Sequence, residues 1–566
     1  MDLMIDGNKI AVRTGETLLD AVKNLGLISG KLSNDPLAAK IAGEVFTLNY
    51  VPQRPQDADV ERTSVRRAMA ASGGVVKLLR YSDPTGKDAY VRTAQFILFL
   101  ALEQLWPQAR AKMDCTLGSG LYIRVEGVED FCAEKLKSRV EQLVAQDIPL
   151  QRCRWQTEDA IRYFREKGQD DKARLLCWRP LDYFDVYQHG AFADYYYGEL
   201  APSTGFLRVW DIRAAQSGFV FLFPDDNHPD TVAKFHEMPN YFSVYSEGER
   251  WCSLMGCETV ADLNDLVQSG KIRDLIRVNE ALHEKRYAQV ADMICQRKAR
   301  AVMLAGPSSS GKTTSANRLA TQLKVHGRKT ILMSLDDYYI DRDRIPIGAD
   351  GKRDFEHIET IDTALFRQQL QELLDGKPVS IPSFNFKTGK REWRGYTLEL
   401  KEDSVIIIEG LHALNPILLS DRLVKHDVFK IYISPLLPLN LDDHNRIPTS
   451  LLRLLRRIVR DYESRGTSVE QTIAMWDSVR RGEKRWIFPY QEEADVIFNS
   501  STLYELAVLK KHIFPLLQRV PPEDESYDSV QAIVKILNYV QEADVDDEIP
   551  PTSLVREFIG GNAFYR

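Results

Sequence analysis

The chain has 566 residues, a formal net charge of −7 and 27% charged residues, enough for roughly three or four domains of about 100–200 residues each. This acidic balance excludes a protein that works mainly by general electrostatic attachment to nucleic acid or to an acidic membrane, while leaving room for a local basic patch. Cysteines at 115, 132, 153, 177, 252, 257 and 295, with no C-x-x-C pair, suggest neither a disulfide framework nor a zinc ribbon and fit a reducing, cytoplasmic setting. The longest apolar block, Phe96 to Leu102, is far short of the ~20 residues that span a bilayer, and the start carries two aspartates before any apolar run. No membrane helix and no targeting peptide are expected.

Residues 1–60 alternate in strand fashion ("LMIDGNKIAV", "KIAGEVFTL") around an amphipathic helix ("TLLDAVKNLGL"), a small β-grasp-like unit. Residues 61–225 hold a helix ("AYVRTAQFILFLALEQLW"), short strands and a charged helix near 129–145, an α+β domain. Residues 226–298 read as a helical connector, strongly charged and without proline from 258 onward. Across 299–510 the apolar runs "AVMLA", "TILMS", "VIIIEG", "VFKIYIS" and "DVIFNS" alternate with helical patterns. That alternation predicts an α/β domain with a parallel sheet and helices on both faces. Residues 511–566 form a C-terminal helical extension, acidic between 521 and 550 and closing on the apolar "LVREFIGGNAFYR".

The strongest chemical signal is "AVMLAGPSSSGKTTSANRLA", in which Gly306, Gly311, Lys312 and Thr313 satisfy G-x-x-x-x-G-K-[ST] between a strand and a helix. An ordinary glycine-rich turn is the plain alternative, but Lys-Thr at this offset inside a βα unit rarely serves packing. Backbone amides from Gly306 through Ser309, Ser310, Gly311 and Lys312 to Thr313 and Thr314 would cradle the phosphates of ATP. Lys312 would reach the β- and γ-phosphates, and the Thr313 hydroxyl would ligate Mg²⁺.

The chain shows no N-K-x-D guanine reader, no L-S-G-G-Q signature and no apolar strand ending in Asp-Glu. Instead Glu409-Gly410 follows "SVIII", and "LDDYY" puts Asp336 and Asp337 at the end of a strand. An aspartate there points into the crevice where α/β sheets bind ligands and could take a hydroxyl proton; a helix cap or solvated turn is the alternative. Arg453, Arg456, Arg457 and Arg460 stand at i, i+3, i+4 and i+7, one basic helical face with Leu452, Leu455, Ile458 and Val459 elsewhere. Such a stripe is either a solvated face or a lid over transferring phosphates.

Together these elements resemble the uridine kinase and phosphoribulokinase branch of P-loop kinases over 299–500, including "DFEHI" and "IPSFNF" as counterparts of that family's acceptor segments. The resemblance implies Asp336 as base with Lys312, Arg457 and Arg460 as catalytic groups, and Glu409 with Thr313 on the Mg²⁺ side. It implies Glu356 on the acceptor's hydroxyls, with Tyr338, His357, Phe384, Arg391 and the lid's Arg465 completing the substrate side. The chain departs from the family where Glu356 replaces an aspartate, Phe384 replaces a tyrosine, "KTGKRE" replaces a histidine segment, and Leu451 or a neighbour takes the place of an aspartate before Arg453. The pocket is therefore open to acceptors other than uridine.

The front end has another resemblance. "MIDGNKIAVRTGETLLDAVKNLG" looks like a TGS domain, and "ALEQLWP" with "YQHGAFADYYYGELAPSTG" is similar to the second additional domain of threonyl-tRNA synthetases. That domain's metal ligands are missing: there is no histidine before His189, and Tyr196 and Leu200 stand where Cys and His would fall. The combination matches a bacterial family described as nucleoside kinases or uridine kinase homologues. It implies an ATP- and Mg²⁺-dependent kinase acting on a hydroxyl of a uridine-like nucleoside or a related small molecule. Two alternatives stay open: an RNA-associated regulator that uses the P-loop as an ATP-dependent switch, with weak RNA contact through Lys77, Arg80 and Arg92, and a nucleotide binder without turnover. The sequence leaves oligomeric state and ATP-versus-GTP preference open.

Overall fold

The computed structural model describes residues 2–564 apart from 42, 53–73, 180, 346, 348–352, 394, 396 and 420–427. Five short apolar runs become the strands β1 (Ala301–Ala305), β2 (Lys329–Ser334), β3 (Ser404–Glu409), β4 (Val428–Ser434) and β5 (Val496–Asn499). They pair in the order β2-β3-β1-β4-β5, parallel throughout. Both faces are covered, so the strands can be apolar without alternation. On one face Val302, Leu304, Ile407 and Ile431 meet Ala316 and Leu319 of α1 (Lys312–Val325), together with Tyr287, Val290 and Ile294 of a long helix, Ile272–Arg297. On the other, Met303, Ile406 and Ile408 meet Phe366 and Leu370 of α2 (Thr363–Leu374), together with Tyr241 and Tyr245 of the helix Pro239–Leu254.

This changes the reading of 226–298 as a helical connector. The segment opens with a strand, His228–Val232, and its helices Pro239–Leu254 and Ile272–Arg297 cover opposite faces of the parallel sheet. Their apolar stripes are needed there, because α1 and α2 leave part of each face open. The C-terminal extension is likewise built in: Val530, Ile533, Leu537 and Phe558 share one core with Val260, Leu263, Leu452 and Leu455.

The first sheet pairs Asn8–Ala11, Asp2–Ile5, Val75–Leu79, Ala38–Ile41 and Glu44–Phe46 in that order. A helix, Leu18–Asn24, packs on it, its N-terminus closed by reciprocal bonds between Thr17 and Asp20. The boundary expected at 60/61 lies outside the described residues. The sheet's central strand, Val75–Leu79, comes from beyond it and runs parallel to Asp2–Ile5, a pairing too distant in sequence for local periodicity to register. The next unit sets the helices Pro84–Leu105 and Ala133–Ala145 against an antiparallel four-stranded sheet. Tyr196 faces Phe96 across 6.5 Å, and Leu200 is fully buried. Among the described residues no helix is long and apolar enough to cross a membrane.

The two halves are locked by a hairpin, Asn440–Arg446, that leaves β4 and enters the second unit. The Met113 backbone amide donates to the Asp443 carbonyl at 2.8 Å, and the Asn440 side-chain Nδ2 donates to the Met113 carbonyl at 2.8 Å. The His444 ring stacks on Phe99 with centroids 3.5 Å apart, and its Nδ1 lies 2.6 Å from Asp194 and 2.7 Å from Lys172. Lys172 and Asp194 are themselves 2.6 Å apart and wholly buried. Burial alone would lift the Asp194 carboxyl, but Lys172 and His444 hold it well below the usual carboxylate range. Removing the lysine strands that charge. Lys172→Ala is expected to cost about 3–5 kcal/mol in denaturant unfolding of the full chain; a loss within ~0.5 kcal/mol would show that the triad does not carry the junction.

Candidate active site

β1 delivers the phosphate loop to the C-terminal edge of the sheet, between β3 and β4. At Gly306 an added Cβ would lie 2.2 Å from the Ile433 carbonyl oxygen and 2.7 Å from Ser310 Oγ, so only glycine lets the loop leave β1 beneath β4. Lys312 opens α1, and its ammonium donates to the Pro307 carbonyl at 3.0 Å. Burial lowers its pKa, against Glu409, Asp336 and Glu557, which favour its charge. Side-chain carboxylates already hold two loop amides. Ser308 N–H donates to Glu483 at 3.0 Å, and Thr314 donates to Glu557 from its N–H at 3.3 Å and from its hydroxyl at 2.6 Å. The hydroxyl oxygens of Ser309 and Ser310 are buried and have no partner among the described residues.

Register brings the acids together. Ser334 of β2 stands beside Glu409 of β3, which in turn stands beside Leu304 of β1. The Ser334 hydroxyl donates to Glu409 at 3.0 Å and accepts from the Asp336 amide at 3.3 Å, which fixes the turn that carries Asp336. Burial raises the Asp336 carboxyl against the pull of Lys312 and Arg465, and burial together with Asp336 pushes Glu409 up to about 7. Two partly buried carboxyls with raised pKa values, at the strand edge from which the phosphate loop leads to Thr313 at the start of α1, offer the oxygen ligands that suit Mg²⁺. Thr313 and Glu409 are the residues that would hold it.

The basic stripe on α3 (Thr449–Arg465) does two different jobs. Arg453 and Arg456 are 1% and 0% exposed. Arg453 makes a two-pronged pair with Glu483 on α4 (Val469–Trp486) and donates to the Ser308 carbonyl at 3.1 Å. Arg456 pairs with Glu505 and donates to the Ser500 carbonyl at 2.8 Å. A single basic face is therefore not what forms, because the helix end nearest the loop is buried beneath it. Arg457 reaches the Ser308 hydroxyl at 3.0 Å, and Arg460 and Arg465 gather on Asp461 while their charges reach Asp336.

On the acceptor side, Glu356 fits against α4 because residue 482 is glycine: a Cβ there would lie 2.2 Å from the Cβ of Glu356. Burial first, and then Glu483, pushes the Glu356 carboxyl up to about 7, against Arg457 and Lys312. Its Oε2 has no partner among the described residues. His357 caps its own turn, accepting the Glu359 amide at 3.1 Å, and packs edge-on to Trp486 at 4.5 Å. Phe384 forms an aromatic group with Tyr339 and the exposed Phe386.

Two expected substrate residues turn away. Tyr338 is fully buried, its hydroxyl donating to Gln369 at 2.7 Å, because the turn after β2 points the first tyrosine into the core and the second, Tyr339, toward Phe384. Arg391 is used up as a latch, donating to Asp362 at 2.9 Å and to the carbonyls of Tyr339 and Tyr338. Three groups that sequence reasoning missed join the site: Glu483, Glu557 and His412. His412, three residues after Glu409, is buried with Nδ1 unpartnered among the described residues and is held neutral, its pKa pushed down to about 4 by burial. Its place just past a strand end was the available signal; Glu483 and Glu557 gave none.

The Glu356 carboxyl titrates near 7 in the fold against an ordinary 4.5, so between those values the folded chain holds a proton that the unfolded chain has lost. Its contribution favours the fold at acid pH and turns against it as pH rises, completely above about 7. Glu356→Gln is expected to raise Tm at pH 8 by roughly 1–4 °C, a gain that shrinks to nothing near pH 5. A melting series with no pH-dependent difference would refute the burial of this charge.

Residues 301–507 match the Phosphoribulokinase / Uridine kinase family. The uridine kinase of Macrococcus caseolyticus is 33% identical over 195 residues, 34% of this chain and 84% of the relative. That of Staphylococcus aureus is 30% identical over 206 residues, 36% of this chain and 89% of the relative. A solved structure described as a possible uridine kinase from Bacillus stearothermophilus is 18% identical, covering 37% of this chain and 96% of that one with a TM-score of 0.25. With most of the curated relatives' length matched by the segment that carries the phosphate loop, Asp336 and Glu409, the chain belongs to the phosphoribulokinase/uridine kinase family through its residues 301–507.

Proposed function

We propose that the chain is an ATP- and Mg²⁺-dependent kinase that transfers the γ-phosphoryl group to a hydroxyl of a nucleoside or a similarly small molecule. The observation that carries this reading is the convergence of Lys312, Asp336, Glu409 and Arg457 at one edge of the parallel sheet, each within electrostatic reach of the others or of Glu356. Mg²⁺, held on the Thr313 and Glu409 side, would supply the positive charge that offsets the β- and γ-phosphates. Asp336 would accept the proton of the attacking hydroxyl, and its raised pKa makes it a stronger base than a free aspartate. Arg457, Arg460 and Arg465 would neutralise charge on the transferring group. Glu356, backed by the aromatic group around Phe384, would orient the acceptor, in keeping with relatives named uridine kinases.

An RNA-bound switch finds less support. Arg80 pairs with Asp6 at 2.9 Å and Arg92 donates to the Glu199 carbonyl at 3.1 Å, so two of the three basic residues expected to hold RNA have partners within the fold, while Lys77 stays largely exposed, 3.7 Å from Asp83.

Asp336→Asn is expected to keep ATP binding while lowering kcat by roughly 10²–10⁴-fold, read in a screen of nucleosides for ATP-dependent product. The reading fails if wild type makes no product from any nucleoside or small polyol offered. The two halves of the arginine stripe should separate. Arg457→Ala is expected to slow turnover with little change in Tm, whereas Arg453→Ala, which strands buried Glu483, is expected to cost about 3–5 kcal/mol of stability. Equal effects on both quantities in the two variants would remove the distinction.

A further inference from the structure

The phosphate loop is met from behind by the far end of the chain. Thr314 stands in the first turn of α1, where amides lack intrahelical partners and the helix dipole favours an anion. The anion in place is a side chain: Glu557 Oε2 accepts from both the amide and the hydroxyl of Thr314. Asn562 donates to the same hydroxyl oxygen at 3.0 Å, so both donors of the threonine and one lone pair of its hydroxyl are engaged from one segment. Leu554 seals the neighbouring position, since a Cβ on Gly311 would lie 2.8 Å from it.

The backbone around Glu557 is firmly held. The Ser553 hydroxyl donates to Glu280 at 2.7 Å, Phe558 lies under the Arg456 guanidinium at 4.8 Å, and Arg556 donates to the Ile549 carbonyl at 3.0 Å. Leu554, Val555 and Phe558 are buried, whereas Glu557 is only half-buried. Its side chain is thus partly open to solvent at the edge of a segment whose apolar residues are anchored. The contrast is Glu483, the other carboxylate on the loop, which is fully buried and clamped by Arg453 and belongs to the scaffold.

We propose that the C-terminal segment Ser553–Asn562 is a built-in plug of the phosphate loop, with the Glu557 carboxylate occupying the Thr314 amide and hydroxyl until a nucleotide phosphate displaces it. The inference rests on the reading of this loop as a nucleotide site. A phosphate oxygen and a carboxylate cannot share the same two donors, and each repels the other across the gap. Glu557 thereby sets a threshold: a ligand must offer enough phosphate charge at Lys312 and the loop amides to outweigh the internal anion.

The test is calorimetric binding of Mg²⁺–ADP and of a non-hydrolysable ATP analogue to full-length wild type, Glu557→Gln, Glu557→Ala and Lys312→Ala. The plug predicts affinity tightened by about 10- to 100-fold in Glu557→Ala, the range for a lost charge-assisted competitor, with Glu557→Gln in between because it keeps the acceptor oxygen. Lys312→Ala should abolish binding, which places the ligand in the loop. If wild type binds nucleotide and both Glu557 variants bind equally or more weakly, the plug is overturned and Glu557 becomes a bystander or a ligand contact, while the nucleotide reading stands. If no form binds either nucleotide, the nucleotide reading itself fails, and the plug with it. Should Glu557→Ala melt well below wild type without ligand, the near-isosteric Glu557→Gln alone decides.

Discussion

The buried pair between Arg453 and Glu483 is the contact on which the rest of the site depends. Its two residues are 1% and 0% exposed, and between them they hold both backbone polar groups of one loop residue, Arg453 the carbonyl of Ser308 and Glu483 its amide. The same Glu483 lies against Glu356 across Gly482 and raises its pKa. One ion pair thus ties α3 and α4 to the phosphate loop and to the acceptor carboxyl. A buried pair of this kind adds little net stability, because desolvation offsets much of the attraction, but breaking it is costly. Its effect is to fix geometry.

That constraint limits what a lid can be. With Arg453 and Arg456 buried beneath the loop, the N-terminal half of α3 cannot lift away without stranding Glu483 and Glu505. Only the half that carries Arg457, Arg460 and Arg465 is free to rearrange, and Asp461, 2% exposed by side chain and shared by all three, gathers their charges. On the proposed function, closure over a transferring group would amount to handing these guanidiniums from Asp461 to phosphate oxygens, a change of partner more than a swing of a domain.

What was legible in the sequence is what is encoded locally. The phosphate loop, the five parallel strands and the acids at their ends follow from short spacings, and Asp336 and Glu409 stand together because strand ends in a parallel sheet share an edge. The arginine stripe was half legible: helical spacing says which residues share a face, not whether that face meets solvent, a ligand or a buried acid. Periodicity does not show which of two adjacent side chains in a turn enters the core, so Tyr338 rather than Tyr339 is buried, nor that Arg391 meets Asp362, 29 residues away. Glu557 lies 243 residues from Thr314, and no local pattern could join them.

The family relationship makes the front of the chain more instructive. About a third of this chain matches most of each curated uridine kinase, so the relatives' matched length is made without the first 300 residues seen here. Yet the hairpin that anchors those residues, Asn440–Arg446, lies inside the family-matched segment, 301–507. Asp442 and His444 enter the second unit and are answered there by Tyr195, Lys172 and Asp194, all buried. Burying ionic groups at a junction specifies one docking geometry more than it adds stability. The extension beyond 511 then closes the circuit: it shares a core with the front end and returns to the phosphate loop through Leu554 and Glu557. The kinase fold in this chain is thus held from both ends: the hairpin Asn440–Arg446 ties it to the second unit, and the extension ties it to the same core and to the phosphate loop.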